Sequence, residues 1–232
     1  MELDRVSLPS GDLRLMRRGH DFSIKLGVAE LMTSRLSGSE EALATLVCDK
    51  LRDRPAPRFL IGGLGMGFTL RATLAALGPK AKVVVAELVP AIVTWARGPL
   101  ADLFAGCLDD PRASLLSGDV AETIRGEASS YDAILLDVDN GPEGMTQEAN
   151  NRLYSAPGVG DAWRALRPGG IFAIWSAFPS PRFARRLEQC GFDVEEKRVR
   201  ARGAHGGARH LIWLATRRAV TRKRNPTDRG GA

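Results

Sequence analysis

Apolar residues recur along this chain in two rhythms, and the change from one to the other divides it. From residue 12 to residue 33, the short runs LRLMRR, DFSIKL and VAELM are separated by Gly19-His20 and by Gly27, which predicts short strands joined by turns. In EEALATLVCDKL, residues 40–51, apolar positions fall at helical intervals, and Ser37 with Glu40 has the spacing of a capping box at the helix start. Pro55 and Pro57 break the chain before Arg58. From there, strand-like and helix-like runs alternate. RFLIGG, KVVVAEL, RASLLSG, YDAILLD and GGIFAIWSA read as strands; FTLRATLAAL, AIVTWAR and SPRFARRLEQC read as helices. NRLYSAPGVGDAWRAL reads as helical in parts, interrupted at Gly158 and Gly160. Continuous apolar strands alternating with helices imply a parallel sheet covered on both faces. FDVEEKRVRAR and ARHLIWLATR follow with only a glycine-rich link between them, so the sheet is expected to end in an antiparallel hairpin.

This pattern divides the 232 residues into a short N-terminal β-appendage with the start of a connecting helix (1–46), an α/β domain (47–216) and a basic tail (217–232). The formal net charge is +6, but the last sixteen residues hold six basic side chains and one acid, while residues 1–194 are slightly acidic. The basicity is therefore a C-terminal feature; the tail has almost nothing to bury and reads as disordered, and nucleic acid is not the expected partner. No apolar run approaches the ~18 residues of a membrane helix, and MELDRVSLPSGDLRL has no apolar core of a secretory signal. Cys48, Cys107 and Cys190 are too scattered for a metal site or a disulfide framework. A cytoplasmic protein without metal or membrane contact is expected.

The candidate chemistry lies where the strands end. Gly62, Gly63, Gly65 and Gly67 crowd the exit of RFLIGG, just before a helix whose N-terminus faces the same space. A dinucleotide fingerprint would need glycine at the sixth position from Gly63, where Phe68 stands. The G-x-G-x-G spacing instead suits S-adenosylmethionine or a relative, which has no pyrophosphate. Glu87, 24 residues after Gly63, closes the next strand, and its carboxylate can accept both ribose hydroxyls. Asp119 follows the third strand, placed for an adenine amino group, and Asp137 ends the fourth. A lone acid at a strand end is usually a solvated cap; glycines and acids at four successive strand ends are harder to dismiss.

Residues 58–176 resemble the catalytic domain of spermidine synthases and their relatives, the polyamine aminopropyltransferase-like family within the class I S-adenosylmethionine-dependent methyltransferase superfamily. LIGGLGMG, VVVAELVPAIVTWAR, DDPRASLLSGD, YDAILLDVDNGPEG and ALRPGG carry the resemblance, in order. It implies a Rossmann-like class I methyltransferase fold with a seven-stranded, mostly parallel α/β sheet. It further implies aminopropyl transfer from decarboxylated S-adenosylmethionine to a small-molecule amine, in a homodimer. The donor would lie over Gly62, Gly63, Gly65, Gly67, Glu87, Leu88, Asp119, Val120 and Asp137. Asp137 matches the acid that lies beside the attacking amine, with Asp139 as a second catalytic candidate and Asn140 beside it on the acceptor side. The family loop typically reads D-S-S-D-P, against Asp137-Val138-Asp139-Asn140-Gly141-Pro142 here. The acid usually found in the glycine loop is replaced by Gly65 and Met66.

Two alternatives stay open. A methyltransferase would use intact S-adenosylmethionine, whose carboxylate needs a cation; Arg35 is the candidate, or it meets an acidic acceptor. A non-catalytic cofactor- or RNA-binding protein would keep the fold without the reaction. Tyr154 and Asn150 follow the Asp137 loop and are candidates for the acceptor side, with Glu143 and Glu148 as substitutes for missing amine partners. Trp95, Trp175 and Trp213 read as packing residues, and His20 and His210 as structural.

Overall fold

The computed structural model describes residues 1–138, 141–142 and 151–218. Its N-terminal part is a four-stranded antiparallel sheet in the order β1 (Glu2–Leu8), β2 (Gly11–Arg18), β3 (Asp21–Leu26) and β4 (Ala29–Thr33). Strand β1 has no counterpart in the sequence reading, because ELDRVSL mixes charged residues with isolated apolar ones. It forms by pairing with β2, Val6 opposite Leu13 and Leu8 opposite Gly11, with Leu3, Val6 and Leu8 packed on the core. Trp95 Nε1 donates to Asp4 Oδ2 at 2.6 Å and ties this sheet to the body.

Helix α1 (Gly38–Lys50) leads into the alternating region: β5 (Arg58–Gly62), α2 (Phe68–Ala76), β6 (Lys82–Glu87), α3 (Pro90–Arg97), α4 (Ala101–Phe104), β7 (Ala113–Ser117), α5 (Val120–Arg125) and β8 (Tyr131–Leu136). After the Asp137 loop come α6 (Asn151–Tyr154), α7 (Ala156–Ala165), β9 (Leu166–Ser176), α8 (Pro181–Gln189), β10 (Phe192–Arg200) and β11 (Arg209–Arg217). The sheet has seven strands in the order β10-β11-β9-β8-β5-β6-β7. The five strands from β9 to β7 pair in parallel, while β11 pairs antiparallel to both β9 and β10.

The alternation of side chains along each strand supplies two cores. Phe59, Ile61, Val83, Val85, Ala133 and Leu135 bury on the face shared with α1, α2, α3 and the N-terminal sheet. Leu60, Ile134, Leu136, Phe172 and Ile174 bury on the other, against α5, α7 and α8.

Two local expectations are corrected. The glycines at 158 and 160 do not interrupt a helix; both lie inside α7, and the break falls at Ser155, whose Oγ accepts from the Gly158 N–H at 3.2 Å. The capping box at Ser37 does not form: Ser37 makes no side-chain cap bond, and Glu40 is turned inward, 9 % exposed. Glu40 shares a helical stripe with Leu43, Ala44 and Val47, and burial of that stripe carries the acid into the protein with it.

Candidate active site

The sheet order places the ends of β8, β5, β6 and β7 side by side, so the four positions singled out from sequence meet at one edge. Backbone bonds continue the ladder past the strands: Asp137 N donates to Gly62 O at 3.1 Å, Gly63 N to Ala86 O at 2.9 Å and Gly118 N to Glu87 O at 2.9 Å. Two loop glycines are needed by the protein itself. Gly63 has φ +88°, and a Cβ there would lie 2.8 Å from the carbonyl oxygen of Asp137. Gly67 has φ +79°, and its Cβ would lie 2.5 Å from the buried Phe104 ring. The loop is therefore narrow because neighbouring protein closes on it from two sides.

Glu87 stands across the loop, 8 % exposed. Its Oε2 accepts the Leu64 N–H at 2.8 Å and its Oε1 the Val89 N–H at 2.7 Å. Burial raises its pKa, while the N–H groups of Leu64, Val89, Gly65 and Leu88 pull it back down. The carboxylate thus joins the glycine loop to the turn entering α3, with lone pairs left over for a ligand. Asp119 caps α5, its Oδ1 accepting from Ala121 N at 2.8 Å while Oδ2 pairs with Arg152 at 3.0 Å. Val120 packs beneath Gly62.

A cavity opens over this edge. Gly63, Gly65, Glu87, Leu88, Gly118, Asp119, Val120 and Asp137 line it on the body side, and Leu8, Leu13, Ile24, Leu26, Leu31 and Met32 cover it from the N-terminal sheet. Met32 Sδ accepts from Met66 N at 3.2 Å, so a thioether occupies the place beside Gly65. Among the described residues the charged groups of the lining are the carboxylates of Glu87, Asp119 and Asp137, and no Lys, Arg or His lines it. Gly62 and Gly67 lie in the loop behind this lining. Arg35 lies elsewhere: it borders two other clefts and pairs loosely with Asp21 at 3.9 Å. Tyr154 is buried behind the Asp137 loop, its hydroxyl donating to Val138 O at 3.2 Å. Asp139, Asn140, Glu143, Glu148, Asn150 and the tail from 219 lie outside the described residues.

Behind Asp137 is a polar group that sequence reasoning missed. Thr69, on α2, donates its hydroxyl to Asp137 Oδ2 at 2.7 Å and lies 3.4 Å from the Glu40 carbonyl. Ser39 Oγ donates to Glu40 Oε2 at 2.6 Å, and His210 Nδ1 is 2.9 Å from Ser39 Oγ. Since a hydroxyl has one hydrogen, His210 is then the donor to Ser39. His210 also stands edge-on to Trp175, with ring centres 4.7 Å apart. The available signal was an acid on the apolar stripe of α1, which the capping-box spacing had explained differently.

Burial raises both acids. Glu40 is pushed from the usual 4.5 to about 7, by desolvation and then by the Asp137 charge; Asp137 is pushed from 3.8 to about 6, by desolvation, against the Thr69 hydrogen bond. Raised folded pKa values mean that the folded protein keeps protons the unfolded chain has released. That contribution to stability is complete below the unfolded values near 4 and is lost as pH rises through 6 to 7. Glu40→Gln can still accept from Ser39, so its melting temperature should match the parent near pH 4.5. It should exceed the parent at pH 8 by several degrees, on the order of 3 kcal/mol. Thermal melts of the two proteins across this range check it; parallel curves would show that Glu40 ionises normally.

No family model matches the chain. Polyamine aminopropyltransferase of Mycobacterium tuberculosis strain H37Rv is 30% identical over 173 residues, covering 72% of this chain and 31% of that protein. Polyamine aminopropyltransferase 2 of Pseudomonas aeruginosa is 34% identical over 128 residues, 53% of this chain and 34% of that one. The chain is also similar to a crystal structure of spermidine synthase in complex with the transition-state analogue AdoDATO. That match has a TM-score of 0.72 and 19% identity, covering 93% of this chain and 72% of that one. Over 72% of its length the chain is thus homologous to polyamine aminopropyltransferases, and its fold is that of spermidine synthase. At 19% identity the structural likeness is one of fold. The chain spans about a third of the length of the curated polyamine aminopropyltransferases it matches. Among the described residues no helix is long and apolar enough to cross a membrane, and no group of three His, Cys, Asp or Glu is arranged to hold a metal.

Proposed function

We propose that this protein is an aminopropyltransferase that moves the aminopropyl group of decarboxylated S-adenosylmethionine to an amine. The observation that carries the reading is the charge of the cavity: three carboxylates and, among the described residues, no cation. Decarboxylated donor brings a sulfonium and an ammonium, both positive. Intact donor adds a carboxylate, which would enter a space lined by like charges. Among the described residues the cation paired with a lining acid is Arg152, outside the lining and already bound to Asp119 at 3.0 Å; left unpaired, the donor carboxylate would cost several kcal/mol. The placement of Arg35 outside the cavity removes the residue that would have favoured the intact donor. In this reading, the ribose hydroxyls take the remaining lone pairs of Glu87, the adenine lies near Asp119, and Leu88, Val120 and the loop glycines flank the nucleoside. The apolar face of the N-terminal sheet covers the donor and excludes water. Asp137 stands where it can receive the proton of the attacking amine. Alignment of nitrogen, carbon and sulfur in this closed space supplies much of the rate, since the neutral thioether leaves without protonation.

Calorimetric titration with the two donors, side by side, tests the proposal. Decarboxylated S-adenosylmethionine is expected to bind at least ~10-fold more tightly, about 1.4 kcal/mol. Turnover with diamines should release methylthioadenosine. Tighter binding of the intact donor, with S-adenosylhomocysteine as product, would replace this reading with methyl transfer.

A further inference from the structure

We propose that Met32 sets the donor specificity of this site: it fills the space beside Gly65 and takes the Met66 N–H, and so turns away a donor that carries a carboxylate. The inference rests on the aminopropyl-transfer reading for the choice of donor, but the placement of Met32 does not. Strand β4 is irregular at this point. Ser23 pairs with Thr33 and Ile24 with Met32, but Lys25 pairs with Glu30, so Leu31 is left over on β4 as a bulge. Successive side chains of a regular strand point to opposite faces, yet Leu31 and Met32 both line the donor cavity. The extra residue aims both into it.

Met32 meets the glycine loop across this cavity. Its Sδ accepts from Met66 N at 3.2 Å. A Cβ on Gly65 would lie 2.7 Å from Met32 Cε and 2.9 Å from Sδ, so the thioether takes the volume that a side chain at 65 would use. The neighbouring N–H groups of the loop are held by carbonyl and carboxylate oxygens. Gly63 N donates to Ala86 O at 2.9 Å, Leu64 N to Glu87 Oε2 at 2.8 Å and Gly67 N to Leu64 O at 2.9 Å, and the Gly65 N–H acts on Glu87. Met66 N differs from these, because thioether sulfur is a weak acceptor. It is the loop donor that an anionic ligand could claim, and Met32 covers it.

The direction of the donor brings its tail to this place. With the adenine near Asp119 and the ribose on Glu87, beyond the ends of β7 and β6, the 5′ carbon and the sulfur lead away across Gly63 toward Asp137, beyond the end of β8. The group carried on sulfur then lies between Gly65, Met32 and Asp137. In the decarboxylated donor that group ends in a methylene and an ammonium. The ammonium offers hydrogens only, and both the sulfur of Met32 and the carboxylate of Asp137 offer lone pairs to it. In the intact donor the same carbon also bears a carboxylate. That group offers lone pairs only, and it meets a sulfur, a methyl group and an N–H already in use. The charge of the cavity disfavours any anion; Met32 places the exclusion at the one carbon where the two donors differ.

Calorimetry of the parent, Met32→Ala and Met32→Leu with each donor tests this. In Met32→Ala the space opens and the Met66 N–H is released. Intact S-adenosylmethionine should then gain roughly 10-fold in affinity, the lower end of what a hydrogen bond to a charged group supplies. Decarboxylated donor should keep its affinity or lose a little, so the preference between the two narrows. Met32→Leu keeps most of the volume and removes the sulfur. Its gain for intact donor should lie between the parent and Met32→Ala, and it decides the matter if Met32→Ala folds poorly. A merely structural role would weaken both donors together. Equal losses for both, or a donor preference unchanged in both variants, would overturn the assignment. Tighter binding of intact donor by the parent itself would count against the aminopropyltransferase reading, and the change in preference on substitution would still decide Met32.

Discussion

Asp137→Asn is expected to fold, to keep most of its donor affinity, and to lose turnover by about 10²–10⁴-fold, the usual contribution of a positioned acid or base. The substitution is nearly isosteric. Thr69 can still donate to the amide oxygen, so the 2.7 Å contact survives, and the Asp137 N–H bond to Gly62 does not involve the side chain. What disappears is the capacity to accept a proton in the cavity. Burial already holds this carboxyl at about 6, closer to the working pH than an ordinary aspartate, and the amide has no such ionisation at all. Single-turnover kinetics with bound donor and excess amine separate the chemical step from binding. Full turnover in the variant would remove Asp137 from the reaction. A loss confined to donor affinity would make it a binding residue only.

The second large effect is expected at Glu87. Its carboxylate holds the Leu64 and Val89 N–H groups at 2.8 and 2.7 Å, one in the glycine loop and one in the turn entering α3. Glu87→Ala leaves both donors buried without an acceptor. Hydrogen bonds to a charged group are worth about 1.5–3 kcal/mol each, so the variant should be less stable by about 3–5 kcal/mol. Donor affinity should fall by roughly 10–100-fold, because the loop and the proposed ribose acceptor are lost together. Glu87→Gln is a finer probe. The two N–H groups need two acceptors, and an amide offers one oxygen and one NH₂, so one of the two bonds becomes a clash of donors. Its melting temperature should fall between those of the parent and Glu87→Ala. Calorimetry on the folded variants checks the assignment; unchanged donor affinity in Glu87→Ala would count against a ribose at this position.

Much of this site was legible before any tertiary information. Glu87 and Asp137 each close an apolar run, and Asp119 and the glycines each follow one, so their place at strand ends comes from local pattern alone. In a parallel sheet all such ends face the same way, so residues spread over 75 positions from Gly62 to Asp137 share one edge. The resemblance to spermidine synthases rested on the same local pieces. Glu40 was visible too, but it was given the wrong partner. A serine three residues before a glutamate matches a local capping motif, and the burial of that glutamate depends on what α1 packs against. Strand β1 was missed for the same reason: nothing in ELDRVSL demands a strand until β2 supplies the pairing and α3 supplies Trp95.

The sequence by itself determined the order of the strands from β5 to β11, the antiparallel ending and the line of acids at the strand ends, because each is written in hydrophobic period and turn chemistry over a few residues. Only the tertiary structure decided that Glu40 lies behind Asp137, 97 residues away, that Met32 fills the space beside Gly65, and that Arg35 stays outside the cavity. Those outcomes depend on how the N-terminal sheet and α1 close over the sheet edge. That closure is driven by burial of apolar faces whose partners lie far apart in the chain, and no short stretch of residues carries the identity of its distant neighbour.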